Sequence, residues 1–190
     1  HLIQEQRGHG EDYRRDALQK YRNYVREGRD FPLTAFRSRH SAATEAVGYG
    51  KTLMVFHMIR RRIGDDAFRK WAARFYRDHR GRQASFADVR KSLELASGQD
   101  LDRFFEDHVA KPGAVTLQVA VSEVREVAGG FEVAGVLRQT QKGGPLQLDV
   151  PIVLQTAGKP ALDTLRSEMA ATPFTLTTAE RPLALQVDPS

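Results

Sequence analysis

The chain has 190 residues, a net charge of +5, 41% hydrophobic and 28% charged residues, and no cysteine. Lack of cysteine excludes disulfides, thiolate zinc sites, iron–sulfur clusters and a cysteine nucleophile. No apolar run approaches the ~20 residues of a membrane helix, so a soluble segment with no membrane partner is expected. The opening His1-Leu2-Ile3 carries neither an initiator Met nor an apolar leader, which is the expectation for a piece of a longer protein.

Gly10-Glu11-Asp12 opens a helix with acids in its first turn. It is expected to run to about Glu27 and stop at Gly28, with Tyr13, Ala17, Tyr21 (or Leu18) and Tyr24-Val25 on one face. A connection through Phe31-Pro32-Leu33 leads to a long helical stretch from Ala42 to Ile63. Val47, Leu53, Met54, Met58 and Ile63 supply its apolar stripe and Gly64 its stop. Asp65-Asp66 begins a helix with Phe68, Trp71, Ala72, Phe75 and Tyr76 on one side, ending near His79-Arg80-Gly81. Ser85 with Asp88 three residues on is a capping pattern for a helix to Ala96, before Gly98. The last helix follows Gln99-Asp100 and carries Leu101, Phe104, Phe105 and Val109.

After Lys111-Pro112-Gly113, a breaker triplet, the period changes from 3.6 to 2. Val115-Leu117-Val119-Val121, Phe131-Val133-Gly135-Leu137 and Leu146-Leu148-Val150-Ile152-Leu154 alternate, separated by Gly129-Gly130 and Gly143-Gly144. Shorter runs at 162–165, 174–176 and 183–187 bring the total to six or seven strands, the pattern of a small antiparallel β-sandwich. The expected fold class is therefore α+β: an antiparallel α-helical stack over 1–112, then a β-sandwich over 113–190.

Charge divides at the same place. Residues 1–112 hold 23 Lys/Arg against 16 Asp/Glu, and residues 113–190 hold 6 against 8. The basic excess does not imply a nucleic-acid partner. Arg60-Arg61-Arg62 spread over roughly 300° of a helix rather than forming a stripe. Cations at a helix C-terminus oppose the negative end of its dipole. Aromatics are not interleaved with the basic residues.

No H-E-x-x-H, nucleophile elbow, Walker loop or dinucleotide-binding glycine pattern occurs. His1, His9, His40 and His79 fall at ends or loops and are expected to face solvent. His57 and His108 lie inside helices and read as packed, hydrogen-bonded side chains. On these residues alone the chain holds no complete active site.

One run says more. Gly48-Tyr49-Gly50-Lys51-Thr52-Leu53-Met54, continuing to Ile59 and then to Arg62-Ile63-Gly64-Asp65-Asp66-Ala67-Phe68, resembles the Tyr-x-Lys-Gly helix and its continuation in the aminopeptidase N family of zinc metallopeptidases. Ser85-Phe86-Ala87-Asp88-Val89, Ser97-Gly98-Gln99-Asp100-Leu101, Phe104-Phe105 and Lys111-Pro112-Gly113 recur in the family's order. Thr52 stands where the family usually has Gly, Gly50 where Glu is common, and His108 where Trp is expected.

The resemblance implies the helical rear of a gluzincin catalytic domain followed by its β-sandwich. In that family two His and a Glu hold zinc, and the Glu of H-E-x-x-H is the general base. Those residues would precede His1, so this chain is expected to hold no metal or other cofactor itself, with zinc in the parent protein. The upstream half of the same catalytic domain and a peptide substrate are the implied partners. Of the family's catalytic residues, only the tyrosine falls on this chain, as Tyr49. A non-catalytic scaffold that keeps the peptidase fold is the competing reading.

Overall fold

A computed structural model describes residues 2–25 and 29–188, which divide into two compact units, His1–Gly113 and Ala114–Ser190. Among the described residues the first unit holds six helices: α1 (Leu2–Gln6), α2 (Gly10–Tyr24), α3 (42–63), α4 (Asp65–His79), α5 (Phe86–Ser97) and α6 (102–110), with a 3₁₀ turn at Leu33–Ala35. The second unit holds six strands.

Local chemistry sets most helix ends. Ser41 and Ser85 each cap a helix reciprocally. The Thr44 and Asp88 amides donate to the serine hydroxyls, and the Thr44 and Asp88 side chains accept from the serine amides. Gly64 stops α3 with φ of 85° and Gly98 stops α5 with φ of 68°, backbone conformations that cost a side chain energy.

Tertiary contacts correct the expected faces. Helix α2 ends at Tyr24, and the expected stop at Glu27-Gly28 lies outside the described residues. Its inward side runs through Gly10, Arg14, Ala17 and Tyr21, while Tyr13 and Tyr24 are exposed. Arg14 occupies a core position because Glu5 of α1 neutralises it at 3.0 Å. The sequence pattern does not predict helix α1. Five residues cannot sustain a helix alone, and Glu5 ties it to Arg14 and to Arg60. Tyr76 also faces solvent, whereas Phe68 and Trp71 are buried in the core as expected. His79 is half-buried rather than free in a loop, its ring stacked on Phe75 at 4.1 Å.

The core of the helical unit gathers Val55 and Ile59 of α3, Phe68 and Trp71 of α4, Leu93 of α5, and Leu101, Phe104 and Val109 around α6. Each fully buried aliphatic side chain of this kind contributes roughly 1.5–3 kcal/mol by leaving water. Trp71 donates its indole N–H to Ser92 at 2.8 Å, so the ring is buried without an orphaned donor.

In the second unit the strands are β1 (Leu117–Val127), β2 (Gly130–Gln139), β3 (Leu148–Thr156), β4 (Ala161–Ser167), β5 (Ala171–Thr178) and β6 (Pro182–Val187). They form two antiparallel three-stranded sheets, β1-β2-β5 and β4-β3-β6. Val133, Leu137 and Phe174 of one sheet and Val150, Ile152 and Leu154 of the other share one core, which is a sandwich. Gly129 and Gly130 both have positive φ in the turn that pairs β1 with β2. Strand β1 alternates in sequence, but Val119, Val121 and Val124 are all exposed. It is an edge strand, and the core holds only Leu117 from it, at half burial.

Candidate functional site

Tyr49 lies on a helix that is not uniformly α. Helix α3 begins as α-helix at Ala42–Glu45, widens to a π-helix over Ala46–Lys51 and returns to α-helix at Thr52–Ile63. The π-register holds one more residue per turn and occurs mostly as isolated bulges, often at functional sites. Gly48 and Gly50 flank Tyr49 and weaken the α-helix there, by roughly 0.5–1 kcal/mol each relative to alanine.

The wide turn also explains the burial along α3. Eight ideal α-helical steps would leave Val55 roughly 80° away from Val47. One additional residue absorbs a step of roughly 100°. Val47, Val55 and Ile59 therefore share the core side, in place of the expected stripe through Leu53 and Met54, which are only half-buried.

Within the turn, Ala46, Val47 and Gly48 are buried and Tyr49 is 59% exposed. A Cβ on Gly48 would overlap the Phe36 ring. That ring stacks on Phe31 at 6.4 Å and meets Tyr49 edge-on, 5.5 Å between centroids at 76°. Tyr49 thus has an aromatic wall on one side and solvent on the other. Gly50 backs onto Ala17 of α2, where a Cβ would find ordinary contact at 3.6–3.9 Å. The Thr52 amide donates to the Tyr49 carbonyl, closing the turn.

Lys51, the last residue of the π-turn, points the other way. Its side chain is only 10% exposed, and its Nζ donates to the Lys111 carbonyl at 3.1 Å and lies 3.8 Å from Asp30 Oδ2. Asp30 also accepts from the Tyr21 hydroxyl at 2.7 Å, from the Phe31 amide at 2.9 Å and from the Gly113 amide. Burial pushes the Lys51 pKa down, and the Asp30 charge opposes it. Burial and then the hydrogen bond to Asp30 push the Tyr21 phenol pKa well up, so Tyr21 stays protonated.

Neither internal histidine joins Tyr49 in a metal site. His57 is half-buried near Arg14 and Glu5, and burial followed by the Arg14 charge pushes its pKa down to about 4. His108 is buried against Phe104 at 4.6 Å. Among the described residues no group of three or more His, Asp or Glu side chains could hold a metal ion. The described residues do not form a zinc site.

Three features of this site escaped the sequence reading: the π-turn, the Phe36 wall and the Asp30–Lys51 pair. Only the first left a local signal, the two glycines two residues apart inside an otherwise helical run.

No family model matches the chain. Over 68 residues it is 32% identical to aminopeptidase N of Lactococcus lactis, which covers 36% of this chain and 8% of that protein. Over 75 residues it is 28% identical to Tricorn protease-interacting factor F2 of Thermoplasma volcanium, 40% of this chain and 10% of that protein. The crystal structure of Legionella pneumophila aminopeptidase A in complex with aspartic acid superposes on 92% of the chain with a TM-score of 0.60 at 19% identity. In sequence and fold the chain is similar to a part of these aminopeptidases. It spans no more than about a tenth of the curated relatives it matches, and 21% of the solved structure. The α+β fold, helices followed by two small antiparallel sheets, matches part of the fold of that aminopeptidase A structure.

Proposed function

We propose that residues 1–112 are the helical C-terminal part of the catalytic domain of an aminopeptidase N-like zinc metallopeptidase, that 113–190 are the β-sandwich following it, and that Tyr49 is the catalytic residue this chain contributes. The observation carrying this reading is the placement of Tyr49. The tyrosine of the Tyr-x-Lys motif is exposed on a π-turn whose preceding residues Ala46, Val47 and Gly48 are buried, free to meet a partner surface and a substrate. Zinc belongs to the parent protein in this reading, as the resemblance to aminopeptidase N implies. The upstream half of the catalytic domain is the structural partner, and a peptide with a free N-terminus is the substrate.

The chemistry asked of Tyr49 is donation of a hydrogen bond. Attack on a peptide carbonyl places negative charge on its oxygen, and a preorganised donor aimed at that oxygen stabilises the transition state more than the ground state. The Phe36 edge contact limits ring rotation, so the donor is positioned before substrate arrives.

The test is turnover of aminoacyl-amide substrates by the full-length protein, with and without chelator. Activity should be lost with chelator. Tyr49→Phe should lower kcat by roughly 100–1000-fold, the effect of removing one oxyanion donor worth about 3–4 kcal/mol. Turnover that ignores chelator, or a fully active Tyr49→Phe, overturns this reading, and absence of turnover favours a scaffold that retains the peptidase fold.

A further inference from the structure

A π-turn has a neighbouring state. Expelling its extra residue restores an α-helix and swings every residue on one side of the turn by roughly 100° relative to the other. For Tyr49 such a shift would carry the ring away from the Phe36 edge. Some element outside the helix must therefore hold the register, because two glycines within the turn cannot.

Lys51 makes contacts suited to this. Its ammonium is held by groups far away in sequence: the carbonyl of Lys111, just past the C-terminus of α6, and the carboxylate of Asp30, in the connection after α2. Both charged side chains are largely enclosed, 10% exposed for Lys51 and 14% for Asp30. The Arg69–Asp66 and Arg74–Asp78 pairs of α4 are open to solvent, whereas the Lys51–Asp30 pair, like Arg14–Glu5, is set inward. Enclosing a pair carries a desolvation cost that its attraction rarely exceeds, so an apolar pair of the same volume would stabilise the fold as well or better. What an apolar pair would lack is direction. Asp30 is itself oriented by the Tyr21 hydroxyl and by the Phe31 and Gly113 amides, so its carboxylate is a stationary partner. Slipping α3 by one residue would pull Lys51 out of reach of both acceptors.

We propose that the Lys51–Asp30 bridge holds the π-turn in register and that Lys51 is thereby a positioning residue for Tyr49. The proposal rests on the catalytic reading of Tyr49 for its consequence in turnover, but not for its consequence in the turn.

The experiment uses the full-length protein and its Lys51→Met, Asp30→Asn, Tyr49→Phe and Lys51→Met/Tyr49→Phe variants. Amide exchange over 46–52 is followed by mass spectrometry, and kcat and KM are measured on aminoacyl amides. Lys51→Met should speed exchange in that segment about tenfold or more and leave α5 protected. It should lower kcat roughly 10–100-fold with KM within about twofold, the loss expected when a reacting group is misplaced by about 1 Å. On the Tyr49→Phe background the same substitution should cost no further activity, because a group acting through the phenol has nothing left to position. Asp30→Asn, nearly isosteric, should act in the same direction and serves if Lys51→Met does not fold. Unchanged exchange in either folded variant overturns the proposal, as does a kcat loss that persists undiminished without the phenol. If Tyr49→Phe is fully active, the catalytic reading falls, and the exchange data alone decide whether the bridge holds the turn.

Discussion

The Phe36 ring occupies the space where a Cβ on Gly48 would stand, so the absence of a side chain at one position is what admits the aromatic wall beside Tyr49. The second glycine of the turn has no such neighbour, only Ala17 at ordinary contact distance. Gly48→Ala should therefore destabilise the protein by about 1–3 kcal/mol, the usual cost of overpacking. Gly50→Ala should be neutral or stabilising by up to about 1 kcal/mol through loss of backbone freedom in the unfolded chain. Urea denaturation of the two variants checks the contrast, and equal effects would contradict the packing described.

Stability should decline as pH falls through the weakly acid range, with His57 as one identifiable source. Its folded pKa is pushed down to about 4 by burial and by the Arg14, Arg61 and Arg60 charges, against the opposing charge of Glu5. The unfolded chain takes up this proton near the ordinary histidine pKa of about 6.5. Between those two values the unfolded state binds more protons, so stability rises with pH there and the penalty is complete below about 4. Urea midpoints of the parent and of His57→Gln, measured at pH 7, 6 and 5, should converge or cross as pH falls, with the variant showing the shallower slope.

In the sandwich, Gln139 is buried and its amide is fully used. Nε2 donates to the Leu146 carbonyl and to Ser167 Oγ, both at 2.9 Å, and Oε1 accepts from the Leu146 amide at 2.9 Å and from Gln141. Gln139→Leu keeps the approximate shape but orphans the Leu146 carbonyl and amide. A loss of about 2–3 kcal/mol is expected, in line with the cost of unsatisfied buried polar groups. Chemical denaturation followed by a probe in the strands measures it. Gln139→Glu at neutral pH should be worse, because a carboxylate cannot donate to Leu146 or Ser167 and would be buried without a cation.

Much of the architecture was legible because it is local. Ser85 and Asp88 cap α5 through atoms within three residues, and Gly98 ends it through its own φ. The alternation from Val115 onward and the glycine pairs at 129–130 and 143–144 specify strands and turns by the same short-range rules. The candidate site was legible in one respect only: the Tyr49 run could be recognised by its residues and their order.

The rest depended on contacts between residues distant in the chain. Glu5 makes an isolated five-residue helix possible and lets Arg14 sit in a core. Edge position, not composition, leaves the valines of β1 exposed. Around the π-turn under Tyr49, Phe36 sits on Gly48 and Lys51 is drawn to Asp30 and Lys111, groups from 12 to 60 residues away. Sequence by itself determined most of the helices and strands and the stops at Gly64 and Gly98, because capping, turn and periodicity energies act over a few residues. Only the tertiary structure decided which register the helix adopts at Tyr49 and what its ring faces, because burial and ion pairing sum over neighbours that the order of residues does not reveal.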